Sequence, residues 1–151
     1  MTGKTIQIYL PDGNPRGVKI AEITSSIGKA VFIPRSQINN SSERPELQGV
    51  GVYFLFGEND ELGRPKTYIG EAEVLITRIK QHNASKDFWN VAVAFLSEKN
   101  LNKAHVKFLE NYCCNKAKEL NKCELENSVN PTRSTLTEAE ESFVLHLYED
   151  L

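Results

Sequence analysis

Between Gly51 and Glu110 the chain carries two tyrosine-bearing triplets, Gly51-Val52-Tyr53 and Tyr68-Ile69-Gly70, followed by Arg78, His82 and Glu110 itself. Two phenols, a guanidinium, an imidazole and a carboxylate are the inventory of a phosphodiester-cleaving site. That reaction needs an activated water, neutralisation of charge on the pentacovalent phosphorus and stabilisation of the leaving oxygen. Each group also has a plainer role when taken alone. Tyr53 and Tyr68 suit strands as ordinary aromatics, Arg78 and His82 suit an exposed helical face, and Glu110 could pair with Lys107 for about 0.3 kcal/mol.

The elements that must position these groups follow from hydrophobic period. Val50, Val52, Phe54 and Phe56 alternate with Gly51, Tyr53 and Leu55, which predicts a strand with Tyr53 on the face opposite the most apolar row. The polar stretch 57–66 predicts a loop, and a return strand from Thr67 closes a long-looped hairpin. Residues 71–83 have helical spacing, with Glu71, Leu75, Arg78 and His82 expected along one stripe at i, i+4, i+7 and i+11. Arg78 and His82 are then neighbours one turn apart. Phe88–Leu96 reads as a third strand, apolar enough to be buried on both faces, and 102–120 as the longest helix, with Glu110 at the border of its apolar stripe beside Lys103, Lys107 and Cys114. Thr137-Glu138-Ala139-Glu140 opens a last helix packed through Phe143, Val144, Leu147, Tyr148 and Leu151.

Upstream, Thr5–Leu10 and Lys29–Ile33 predict strands, Val18–Ile23 fits either a strand or a short helix, and Asn39–Pro45 reads as a linker. The expected architecture is α+β, a single domain built in two parts. Residues 1–48 form a β-rich extension packed on the main body, and 49–151 carry a small, mainly antiparallel three-stranded sheet flanked by helices.

Composition narrows the class. The chain has 151 residues, enough for a core of its own, and 25% are charged, as in ordinary globular proteins. Its longest apolar run, Val50–Phe56, is far below the ~20 residues of a membrane helix. Met1-Thr2-Gly3-Lys4 does not open a signal peptide, so the expected compartment is the cytoplasm, with Cys113, Cys114 and Cys123 as reduced thiols. The net charge of -2 is unevenly spread: residues 78–122 hold nine basic and four acidic side chains, residues 124–151 one basic and seven acidic. The two stretches can lie on different faces with one fit for phosphates, or be simply two solvated faces of opposite sign. The cysteines and His105 lack the paired spacing of a zinc site, and His105 and His146 read as surface or packing residues.

Taken together, the two triplets, the Arg78–His82 spacing and the helical glutamate resemble the GIY-YIG nuclease superfamily over roughly residues 49–131, with Val52 in place of the usual isoleucine. The chain looks similar to stand-alone bacterial members with an N-terminal segment. The resemblance implies an endonuclease acting on nucleic acid, DNA before RNA. Tyr53 would be the general base, His82 its proton-accepting neighbour, Tyr68 a hydrogen-bonding partner and Arg78 the phosphate grip. Glu110 would hold one Mg²⁺ or Mn²⁺ ion. It further implies a polar asparagine after the long helix, matched by Asn127 with Asn130 as rival. Lys80, Lys103 and Lys107 are candidate phosphate contacts. Glu71 departs from the family's usual basic or neutral residue, and a carboxylate there would repel a phosphate. Specificity would come from the N-terminal extension, a homodimer or a partner protein.

Overall fold

In the computed structural model, which describes residues 2–99 and 101–150, every strand joins one seven-stranded sheet in the order β1-β2-β3-β6-β4-β5-β7. The strands are β1 (Ile6–Tyr9), β2 (Lys19–Ile23), β3 (Gly28–Pro34), β4 (Gly51–Asn59), β5 (Pro65–Ala72), β6 (Trp89–Ser97) and β7 (Glu124–Leu125). All pairings are antiparallel except β5 with β7. The class is α+β, but the sheet is larger than the three strands expected. The N-terminal segment supplies β1–β3 as a continuation of it, because the whole length of β3 pairs with β6. A period-2 pattern marks strands without saying which strand they pair with.

Among the described residues three helices cover the sheet: α1 (Leu75–Ser85), α2 (Lys103–Leu120) and α3 (Glu138–Tyr148). The alternation in β4 sorts the two faces as expected. Tyr53 and Leu55 pack with Leu75, Ile76 and Ile79 of α1, whereas Val52 packs with Val106, Leu109 and Cys113 of α2 and Val144 of α3. On β6, Ala92 and Ala94 are buried, but Val93 and Phe95 are only half-buried and line an apolar groove of about 640 Å³ with Phe54 and Phe56. The second face of β6 is therefore incompletely covered, contrary to its expected double burial.

The stretch expected as a linker is packed structure. Residues 39–45 lie among short 3-10 turns between Ile38 and Leu47, both fully buried, with Ser41 bonding back to Gln37 O at 2.8 Å. Arg35 secures it further. Its guanidinium donates to Asn83 Oδ1 and O at 2.8 and 2.9 Å and to Trp89 O at 2.9 Å, and lies 4.7 Å from the Trp89 ring centroid. The end of α1 is thereby tied to the start of β6.

Asn102 and His105 cap α2 reciprocally, Asn102 Oδ1 accepting from His105 N at 2.9 Å and His105 Nδ1 from Asn102 N at 3.1 Å. His105 is thus a buried capping residue, a role its sequence context did not suggest. Thr137 caps α3 by accepting from Glu140 N at 3.2 Å. Leu151, expected on the packed side of α3, lies outside the described residues. Among them, no helix is long and apolar enough to cross a membrane.

Candidate active site

The two triplets meet across the β4–β5 ladder, where Tyr53 is the direct partner of Gly70. A Cβ on Gly70 would lie 2.3 Å from Cζ of Tyr53, so only glycine lets the phenol ring lie flat over the neighbouring strand. This places the Tyr53 ring, 1% exposed, under α1. Its hydroxyl lies 2.6 Å from His82 Nε2. Tyr68 stacks on Tyr53 at 6.2 Å and lies tilted against His82 at 4.9 Å, centroid to centroid, and Lys86 Nζ lies 4.6 Å from the Tyr68 ring centroid.

Packing orients α1 for this. Leu75 N bonds to Gly49 O at 3.1 Å, and Leu75 and Ile79 are fully buried. His82, on the same inward side, is also buried, with its backbone carbonyl accepting from Trp89 Nε1 at 3.3 Å. Arg78 stands one turn earlier, exposed at the rim of a cleft of about 290 Å³ shared with Thr77, Gln81 and Lys103. Lys80 is exposed on the same helix but turned about 200° from Arg78, so it points away from the cleft.

Burial decides the protonation of the inner groups. It pushes Tyr53 far above the ordinary tyrosine value, helped by Tyr68, and the opposing pull of Arg78 is smaller. Tyr68 is raised by the same causes, burial first and then Glu110. Burial, with Lys86 and Arg78, pushes His82 down to about 4. The resting pair at neutral pH is a phenol beside a neutral imidazole, whose Nε2 can accept the hydrogen bond of the phenol.

The outer edge of β5 brings in the rest. β7 covers only Lys66 and Thr67. Beyond it Glu126 N donates to Thr67 O at 2.8 Å, and the Asn127 amide takes the place of a strand, with Oδ1 3.0 Å from Ile69 N and Nδ2 2.7 Å from Ile69 O. Asn127, the asparagine expected to bind substrate, holds the middle residue of the second triplet with both ends of its amide. Its rival Asn130 is exposed and accepts from Lys118. The next outward-facing amide, Glu71 N–H, favours the charged form of Glu110, but burial and the Glu71 carboxylate outweigh it and push Glu110 up to about 7.

Glu71 is not on the α1 stripe. It belongs to β5, paired with Val52, and α1 begins four residues later. The strand turns it to the α2 side, where its carboxylate meets Lys103 Nζ at 2.6 Å. Lys107, exposed one turn along α2, faces Glu110 as well, close enough to favour its ionised form.

The structure therefore gathers Tyr53, Tyr68 and His82 in direct contact, with Arg78 and Glu110 near enough to bias the tyrosines in opposite directions. Lys103 and Lys107 flank Glu110, and Lys80 stands apart. Sequence reasoning missed Arg35 and Trp89 as supports of the His82 helix. Arg35's partners lie 48 and 54 residues away, and no local pattern records such a contact. As for a metal, the half-buried Glu110 carboxylate offers the oxygen donors that a hard divalent cation prefers. No cluster of three or more ligating side chains forms among the described residues. An ion here would rest on one or two carboxylates and keep several waters, as Mg²⁺ commonly does. No family model, curated protein or solved structure matches this chain.

Proposed function

We propose that this protein is a GIY-YIG-type endonuclease that hydrolyses phosphodiester bonds in DNA with one Mg²⁺ or Mn²⁺ ion. The observation that carries the proposal is the hydrogen bond of Tyr53 to a neutral His82, made over Gly70 and at the strand edge where Arg78 and Glu110 converge. A buried phenol with a raised pKa is a poor free base. Paired with His82 it acts as a relay: the phenol oxygen takes a proton from the attacking water as its own proton passes to Nε2. Tyr68 orients this pair, and Arg78, exposed on the cleft, grips a non-bridging phosphate oxygen through its fork. When bound at Glu110, the ion supplies charge neutralisation at the leaving 3′ oxygen. Lys107 adds phosphate attraction on the same side.

The near-complete burial of Tyr53 favours a second reading, a nucleic-acid-binding module with little or no cleavage. Incubation with plasmid and branched DNA in Mg²⁺ or Mn²⁺ separates the two. Nicking by the wild type, lost in Tyr53→Phe and in Glu110→Gln, is expected. Salt-dependent binding without nicking of any substrate would leave the binding module.

A further inference from the structure

We infer that Glu71 is a second carboxylate ligand of the divalent-cation site, and that Lys103 is an internal cation competing with the metal ion for it. The inference rests on the reading that Glu110 holds an ion. The Glu71 side chain is 10% exposed, and only one of its oxygens is used: Oε1 meets Lys103 Nζ at 2.6 Å, while Oε2 is buried with no hydrogen-bond partner among the described residues. A buried carboxylate oxygen without a donor is costly unless something else meets it.

What could meet it follows from the neighbours. Glu71 is bound to Lys103, and Lys103, Lys107 and Glu110 follow at i, i+4 and i+7 along one face of α2, the helix that packs on β5. Two carboxylates therefore share one rim with Lys103 and Lys107, whose side chains are exposed there. Lys103 balances one negative charge as a flexible, singly charged ammonium. A divalent ion balances both carboxylates and uses lone pairs the lysines leave idle. Once displaced, Lys103, at the first turn of α2 and 45% exposed, is free to turn toward a phosphate. The residue that fits the family pattern least well thus becomes part of the site, and a phosphate meets a rim already neutralised.

Mn²⁺ titration of the full chain without DNA, read from the paramagnetic resonance of free Mn²⁺, tests this. Glu71→Gln, which keeps size and shape, is expected to weaken binding about tenfold, as loss of one supporting oxygen typically does. Lys103→Met is expected to tighten it about threefold by removing the competing charge. Thermal melts check that both variants are folded, with Lys103→Met expected below the wild type because it unpairs Glu71 Oε1, and Lys103→Met, which leaves Glu71 in place, keeps the test open should Glu71→Gln fold poorly. Unchanged affinity in Glu71→Gln, or weaker affinity in Lys103→Met, overturns the inference. If Glu110→Gln abolishes binding while Glu71→Gln leaves it unchanged, the single-carboxylate site stands and Glu71 is excluded. If the wild type binds no Mn²⁺ at millimolar concentration, the nuclease reading falls with it.

Discussion

The two sides of β5 handle charge in opposite ways. Toward α1, Tyr53 and His82 are 1% and 8% exposed, and burial holds both in their neutral forms. Toward α2, the largely buried Glu71 and the half-buried Glu110 gather with the exposed Lys103 and Lys107 as ionisable groups. A dry pocket keeps phenol and imidazole neutral, because neither charged form is solvated there. A wet rim suits phosphate and metal, whose binding exchanges water for charged partners. The strand edge is the seam between them, and Asn127 closes it where β7 ends.

The contrast can be broken from either side. The largest effect is expected on the dry side: Tyr53→Phe should lower DNA cleavage about 10²–10⁴-fold, the range of a lost proton-transfer group, with DNA binding retained in a filter or gel-shift assay. If cleavage persists at the wild-type rate, Tyr53 is a packing residue. Gly70→Ala should cost about 3 kcal/mol or more in urea unfolding, since its Cβ would overlap Tyr53 at 2.3 Å. Gly49→Ala, with nothing within 4 Å of the added Cβ, should stay within about 0.5 kcal/mol. Equal costs at the two positions would remove the steric argument for the second triplet.

Next comes the seam. Asn127→Ala leaves Ile69 N and O without partners and should cost about 2 kcal/mol. Cleavage should fall with stability while the salt dependence of DNA binding is unchanged. A change in that salt slope would restore Asn127 as a substrate contact.

Acid–base behaviour separates the sides in turn. Glu110, raised to about 7, binds a cation only when ionised. Mn²⁺ affinity should therefore grow as pH rises toward 7, by up to about tenfold per unit, and level off above it. The same raised value means that Glu110 contributes stability below its ordinary 4.5, lost as pH rises through about 7. His82 has the opposite sign. Lowered to about 4, it contributes stability above its ordinary 6.5 that is lost as pH falls toward about 4. Unfolding curves of Glu110→Gln and His82→Gln across pH 4–8 should each remove one arm. The smallest effect is expected for Lys80→Ala, which should change DNA affinity by less than about 0.5 kcal/mol, whereas Lys107→Ala should weaken binding and reduce its salt slope.

Much of the site was legible because it is written in short periods. Alternation in β4 separates Tyr53 from Val52, spacing in α1 puts Arg78 and His82 one turn apart, and the stripe of α2 places Glu110 at its border. These are properties of a strand or a helix taken alone, and they survive whatever the rest of the chain does. Glu71 shows where that legibility stops. Its spacing from Leu75 and Arg78 suits a helix, yet pairing with Val52 keeps it in β5 and turns it to the other face. One more rung of ladder decides which side of the sheet a carboxylate occupies.

By itself, then, the sequence determined an α+β chain, the inventory of candidate groups and, for Arg78 with His82 and for Lys103 with Lys107 and Glu110, which of them share an element. Only the tertiary structure decided that the N-terminal strands extend the same sheet, that Arg35 braces the His82 helix, that Asn127 serves β5, and that Glu71 faces Lys103 beside Glu110. The reason is range. Each of these depends on which distant segment closes against which, and hydrophobic patterning encodes burial without naming the partner.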